Sequence, residues 1–186
     1  MHMSRHSHDF LIVGPVGAGK TTLVRRLHAL GARQRATSTT AAPPQPTVGT
    51  ELLTLSRPSL TLLEVGGAME PLWEGFLGHC RRGLLFVVDT SSACAVGAAS
   101  VALLRLLSSE DPSNKRPLLL VLNQRDRLDA LPEGIVRHLL RLDGMQETSR
   151  GRRISIHWTS GRSGDGVDGV LRWCVEELQR NPQASR

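Results

Sequence analysis

At 186 residues with a formal net charge of +6, the chain fits one domain with a core of ordinary size. No apolar run approaches the ~20 residues of a membrane-spanning helix, and Cys80, Cys94 and Cys174 lack metal-ligand spacing and suit a reducing compartment. The arginines fall in short clusters (Arg25-Arg26, Arg81-Arg82, Arg152-Arg153) with three Phe, three Trp and no Tyr for stacking on bases, so the positive charge reads as solvated surface and nucleic acid is not an expected partner.

Residues 1–8 are polar and His-rich and are expected to form a flexible N-terminus without a secretory core. One domain is expected over 9–180, with 181–186 a flexible C-terminus. His2 breaks the myristoylation pattern and the last six residues hold no Cys for prenylation. A direct lipid anchor is therefore not expected, and the chain alone is expected to be a monomer.

The first strand, Phe10–Val13, runs into Gly14-x-x-x-x-Gly19-Lys20-Thr21. At a Gly usage near 7%, these fixed positions meet by chance in roughly one chain in a hundred of this length, or fewer. The glycines of this P-loop pattern let backbone N–H groups surround a phosphate. Lys20 reaches the β- and γ-phosphates, the Thr21 hydroxyl ligates Mg²⁺, and the helix that follows turns its positive end on the same anion. Leu23, Leu27 and Leu30 carry that helix at the right spacing. Only Lys20 and Lys115 are lysines among 23 basic residues, which suggests that the loop needs a compact ammonium.

Arg33–Pro46 lacks periodicity and reads as a mobile loop. Glu51–Ser56 and Leu60–Val65 flank Arg57-Pro58-Ser59 as a hairpin, and Leu84–Asp89, Leu118–Asn123 and Ile154–Trp158 are further strands. Helices are expected around Val101, Leu104 and Leu107, around Ile135, Leu139 and Leu142, and over Val167–Leu178. The predicted fold is α/β: a six-stranded, mostly parallel sheet with one antiparallel edge strand and helices on both faces.

In such a sheet the ligand sits beyond the carboxyl ends of the strands. There lies Asn123-Gln124-Arg125-Asp126, and a carboxylate at Asp126 can accept from guanine N1–H and its 2-amino group, neither of which adenine offers. Ser160-Gly161-Arg162 follows the last strand, and the Gly161 N–H is a candidate donor to guanine O6.

The stretches GPVGAGKTTL, Pro46-Thr47-Val48-Gly49-Thr50, Val65-Gly66-Gly67, Pro71-Leu72-Trp73, GLLFVVDTS and DGVDGVLRW run through nearly the whole chain. In that order they resemble small GTPases of the ADP-ribosylation-factor-like group, P-loop NTPases with a Ras-like G domain. The resemblance implies GTP/GDP and Mg²⁺ as cofactors. It implies phosphate binding by Gly14, Pro15, Val16, Gly17, Ala18, Gly19, Lys20, Thr21, Thr22, Thr47 and Gly67, and guanine binding by Asn123, Gln124, Asp126, Ser160, Gly161 and Arg162. Thr21 and Thr47 would ligate the metal, with Glu64 in its second shell. Segments 33–50 and 64–82 would be the switches that meet effector and regulatory proteins. A cytoplasmic role in membrane or ciliary traffic, with recruitment through a partner, is also implied.

The chain departs from that pattern where hydrolysis is concerned. Asp-x-x-Gly-Gln reads here as Glu64-Val65-Gly66-Gly67-Ala68, so Ala68 stands where the water-orienting Gln is usual, and no catalytic residue is assigned. No Gln occurs from Gly66 to Arg82. Glu64 replaces the Asp that contacts a Mg²⁺-bound water, Gln124 replaces the Lys that covers the base, and Val16 adds bulk near the γ-phosphate. Arg81 and Arg82 are candidates to approach as internal arginine fingers. A GTP/GDP switch with slow or partner-dependent hydrolysis is expected. The alternatives are an interaction module that uses nucleotide only for stability and an ATP-dependent small-molecule kinase. Leu72, Trp73 and Phe76 are either core or effector contacts.

Overall fold

The computed structural model describes residues 7–32, 47–109, 116–144 and 151–180. The loop 33–46, residues 1–6 of the expected N-terminal tail and the tail 181–186 lie outside the described residues.

Six strands, β1 (His8–Val13), β2 (Thr50–Ser56), β3 (Ser59–Val65), β4 (Cys80–Asp89), β5 (Leu118–Asn123) and β6 (Ile154–Trp158), form one sheet in the order β2-β3-β1-β4-β5-β6. β2 pairs antiparallel with β3 at the edge, and every other neighbour is parallel. The expected sheet is therefore the observed one. Alternation along the strands explains its two buried faces. Leu11, Val13, Leu84, Phe86, Leu118 and Leu120 point to one face, and Phe10, Ile12, Leu85, Val87, Leu119 and Val121 to the other. Helices α1 (Lys20–Gly31) and α5 (Val167–Arg180) cover the second set. The first set lies under α2 (Trp73–Leu77), α3 (Ala93–Ser109) and α4 (Glu133–Leu139). No helix among the described residues is long and apolar enough to cross a membrane.

The structure shortens the expected N-terminal tail, places the core stripe of α3 and decides between the two readings of Leu72, Trp73 and Phe76. His8 is not part of a flexible tail: it opens β1, is buried, and donates its N–H to His79 O at 3.2 Å. Helix α3 contains Val101, Leu104 and Leu107 as expected, but its core stripe is a different one. Val101 and Leu104 are exposed, and the core side is Val96, Ala99, Ala102, Leu103 and Leu106, where small alanines let the helix approach the sheet. Trp73 and Phe76 are core residues, with Trp73 edge-on to Phe86 at a centroid distance of 6.0 Å, whereas Leu72 is exposed.

β1 has β3 on one side and β4 on the other, so the chain's path reverses across it. The crevice beyond its carboxyl end is where such sheets bind ligands. Residues Gly14–Gly19 occupy that crevice.

Candidate functional site

Gly19 caps α1 in the left-handed region at φ 87, where a side chain is strained. A Cβ there would also lie 2.3 Å from Asn123 Nδ2. Glycine is required twice over, by the turn and by Asn123 packing on the loop. Among the expected phosphate-binding residues, Ala18 is buried, Val16 and Gly17 are exposed at the mouth, and Pro15 and Thr22 are half-buried.

Lys20, the first residue of α1, folds back across the loop and donates Nζ to Gly14 O at 2.7 Å and Pro15 O at 2.9 Å. Burial lowers its pKa to about 8, and the Glu64 carboxylate offsets part of that shift. A polyphosphate would favour the charged form that desolvation disfavours.

Thr21, Thr47 and Glu64 meet beside the lysine. Thr21 Oγ1 donates to Glu64 Oε1 at 2.6 Å and lies 2.9 Å from Thr47 Oγ1, which itself reaches Glu64 Oε1 at 3.4 Å. Glu64 is buried, and its second oxygen, Oε2, has no hydrogen-bond partner among the described residues. Burial raises the Glu64 pKa, while the Thr21 hydrogen bond and Lys20 pull the other way. Hard oxygens with one anionic charge suit Mg²⁺. Among the described residues no group of three His, Cys, Asp or Glu forms a separate metal site. The expected ligand set therefore fits the metal, and the buried, unsatisfied Oε2 is the observation that favours it.

The two glycines after Val65 zip the site shut. Gly66 donates its N–H to Gly49 O at 2.9 Å, and a Cβ on Gly66 would lie 2.2 Å from Thr47 O. A Cβ on Gly67 would lie 2.4 Å from Val16 N, so its backbone rests directly on the loop. Trp73 Nε1 donates to Gly66 O at 3.3 Å and pins this segment to the core. Ala68 is exposed at the start of a 3-10 turn, Gly67–Leu72.

On the other side, Asn123 is a buried hub. Its Nδ2 donates to Ala18 O at 2.8 Å, and its Oδ1 accepts from Thr159 Oγ1 at 3.2 Å and Gly161 N at 2.9 Å. The Gly161 N–H is thus already held by Asn123, which differs from its expected role as donor to guanine O6. Gln124 adopts φ 68 and donates Nε2 to Gly17 O at 2.8 Å, so an amide bridges strand end and loop at the position of the expected lysine. Asp126 is exposed beside it. Ser160 is buried, and its Oγ accepts from Ser163 N at 2.9 Å to shape the turn in which Arg162 is exposed.

Arg26, read from the sequence as solvated surface, belongs to this site. It donates Nε to Gly161 O at 3.1 Å and Nη2 to Arg162 O, tying α1 to the turn after β6. Its position one helical turn beyond Thr22 is the sequence signal that was available. Arg26→Ala is expected to speed nucleotide release about 10-fold, the value of a single charge-assisted bond to a carbonyl at the low end of its range, measured by displacement of a fluorescent guanine nucleotide. Arg81 and Arg82, by contrast, are excluded as internal fingers. Arg81 pairs with Asp9 at 3.0 Å at the opposite end of the sheet, and the span from Arg81 to Asp89 is about 25 Å at ~3.3 Å per residue.

Fold and crevice together define a P-loop nucleotide-binding domain of the small-GTPase type. The sequence model of the ADP-ribosylation factor family matches residues 1–178. Human ADP-ribosylation factor-like protein 16 is 35% identical over 165 residues, covering 88% of this chain and 82% of its own. ADP-ribosylation factor-like protein 3 of Saccharomyces cerevisiae is 25% identical, covering 97% and 90%. The solved structure of the Arl6 BBS3 small GTPase of Trypanosoma brucei, with the bound nucleotide analogue GppNp, superposes with a TM-score of 0.74 at 22% identity, covering 93% of this chain and 98% of that one. The chain belongs to the ADP-ribosylation factor family, as an Arf-like member of the guanine-nucleotide-binding small GTPases.

Proposed function

We propose that the chain is a GTP/GDP switch that binds nucleotide with Mg²⁺ and hydrolyses GTP slowly unless a partner assists. The observation that carries the slow-hydrolysis reading is Ala68. It directly follows Gly67, whose backbone rests on Pro15–Val16, yet it presents only a methyl group to solvent there.

The residues divide the work. Lys20 would exchange the carbonyls of Gly14 and Pro15 for phosphate oxygens, and the exposed loop N–H groups would surround the same anion. Thr21 and Thr47 would ligate Mg²⁺, with Glu64 acting on it through a bound water, and the metal when bound supplies positive charge to the β- and γ-phosphates. Asp126 would accept from guanine N1–H and the 2-amino group, Asn123 would brace loop and turn together, and Gln124 would lie across the base. Contact of Thr47 and Gly67 with the γ-phosphate would set the surfaces of 33–50 and 64–82 offered to effectors. No side chain next to Gly67 orients an attacking water, so a partner's arginine or glutamine is needed. On family membership we assign this switch to membrane or ciliary traffic, with the protein cytoplasmic until a partner recruits it.

Ala68→Gln tests this reading. It is expected to raise single-turnover hydrolysis of bound GTP by about 10-fold or more, since a positioned water is a large part of this catalysis. Fast hydrolysis by the wild-type protein alone defeats the proposal.

One observation favours a second reading, an interaction module stabilised by nucleotide but not switched by it. Thr47 and Thr21 are joined to Glu64, and Gly66 is bonded to Gly49, through the protein's own groups. Hydrogen exchange at the Gly66 amide separates the two. A switch gives faster exchange with GDP than with a non-hydrolysable GTP analogue, whereas a module gives equal rates.

A further inference from the structure

We infer that Asp9, at the end of the sheet opposite the crevice, is a positioning residue for the nucleotide site. It holds β3 at one depth along β1, and through β3 it holds Glu64, Gly66 and Gly67 against the loop. The inference rests on the proposed reading of the crevice as a Mg²⁺–GTP site.

The site depends on the joint between β1 and β3. Glu64 is in register with Ile12 at its upper end, and Val65, Gly66 and Gly67 follow directly. That joint is also the shortest ladder in the sheet. It pairs Phe10 with Leu62, Leu11 with Leu63 and Ile12 with Glu64, and every other pair of neighbouring strands has a longer one. Apolar packing does not make up the difference. Leu60 and Leu62 pack on one face, and Leu63 and Val65 on the other. Such contacts decide which face each residue takes, not how far along β1 the strand sits.

Asp9 and Thr61 supply directional bonds one step before the ladder begins. Asp9 donates its backbone N–H to Thr61 Oγ1 at 2.9 Å. Its Oδ2 accepts from Thr61 N at 2.8 Å and from Thr61 Oγ1 at 2.9 Å. The other oxygen, Oδ1, accepts from Arg81 Nη2 at 3.0 Å, with Arg82 Nε 4.0 Å away. β4 thus orients the carboxylate that β1 offers to β3, and Asp9 is buried among these partners. A buried charged cluster is weak evidence for stability, since apolar side chains of similar volume often serve as well. Its best-attested use is to specify register.

The clamp lies close enough to act. From Thr61 to Glu64 is about 10 Å along a strand that rises ~3.3 Å per residue. An anchor at Thr61 therefore sets where Glu64 Oε1 meets Thr21 Oγ1 at 2.6 Å and where Gly67 rests on Val16. Lys20 and Thr21 belong to α1 and do not hang on β3, so contacts shared by GDP and GTP are expected to survive loss of the clamp. Gly67, and Thr47 whose carbonyl packs on Gly66, are the groups assigned to the γ-phosphate. Loosening β3 is expected to cost GTP more than GDP.

The test is Thr61→Val in the full chain, an isosteric change that removes the hydroxyl and suits a strand. Wild type and variant are titrated with GDP and with a non-hydrolysable GTP analogue, both fluorescent, in Mg²⁺. Affinity for the analogue is expected to fall about 10-fold, the value of one hydrogen bond to a charged group, with little change for GDP. Thr61→Ser, which keeps the hydroxyl, is expected to match the wild-type ratio of the two affinities. A Val variant with a lower thermal midpoint and an unchanged ratio has lost only fold stability and overturns the inference, as does a Ser variant that behaves like Val. A wild-type protein that binds neither nucleotide defeats the underlying reading and this inference with it. If the Val variant does not fold, hydrogen exchange at the Thr61 amide of the wild type decides, because coupling between sites is reciprocal. Slower exchange with the analogue than with GDP supports the inference, and equal rates overturn it.

Discussion

Lys20→Met is expected to weaken GTP and GDP affinity by about 100- to 1,000-fold. Methionine keeps the apolar stem and removes the ammonium that the loop surrounds. Two charge-assisted bonds to phosphate oxygens are worth roughly 3–4 kcal/mol together, which converts to that range of affinity. Unfolding does not offer an alternative explanation. Without phosphate, burial already disfavours the charged lysine and lowers its pKa to about 8 from 10.5. At pH 7 the folded, nucleotide-free protein therefore bears a cost that the unfolded chain escapes, and replacement removes that cost. Titration with a fluorescent guanine nucleotide should show the loss of affinity. The thermal midpoint of the nucleotide-free variant should be no lower than that of the wild type.

Asp126→Ala is expected to erase the preference for guanine. The carboxylate is exposed at the rim of the crevice, so its removal should cost the fold little. Two hydrogen bonds from N1–H and the 2-amino group would be lost, about 3–5 kcal/mol, or roughly 1,000-fold in GTP affinity. ATP, which makes neither contact, should bind the variant as weakly as it binds the wild type. Competition of ATP and GTP against the same fluorescent probe reads both changes. A variant that keeps its preference for GTP would shift the source of selectivity to the Ser160–Arg162 turn. A wild-type protein that prefers ATP would revive the kinase alternative.

The sheet could be read from the chain because parallel strands buried on both faces are written as unbroken apolar runs. LLLVLN at β5 and LLFVVD at the end of β4 needed no partner to be recognised. Helix faces were harder. In α3 nearly every position is apolar or small, so periodicity does not single out the stripe that meets the sheet. Ala99 and Ala102 won by size over Val101 and Leu104. His8 shows the opposite limit: a polar residue joined the sheet because its backbone found His79, a contact no local pattern announces.

The site was legible where its residues are consecutive. Gly14–Thr21 and Asn123–Asp126 carry their chemistry in fixed spacing, and the fold brings them together through Asn123 and Gln124. What spacing could not give is contact between distant segments. Arg26 meets Gly161 across more than a hundred residues, and Glu64 meets Thr21 at 2.6 Å only because β3 lies beside β1. The extra methylene of Glu64 was visible in the sequence as a departure. Its result, a carboxylate in contact with the Thr21 hydroxyl, required the sheet.

With Ala68 leaving the attacking water unpositioned, the proposed guanine-nucleotide site is expected to retain GTP. The most direct test is the nucleotide that co-purifies with the wild-type chain, released by heat denaturation and separated by ion-exchange chromatography. GTP in excess of GDP, with no adenine nucleotide, is the predicted result. GDP alone would contradict slow hydrolysis, and an adenine nucleotide would contradict the role given to Asp126.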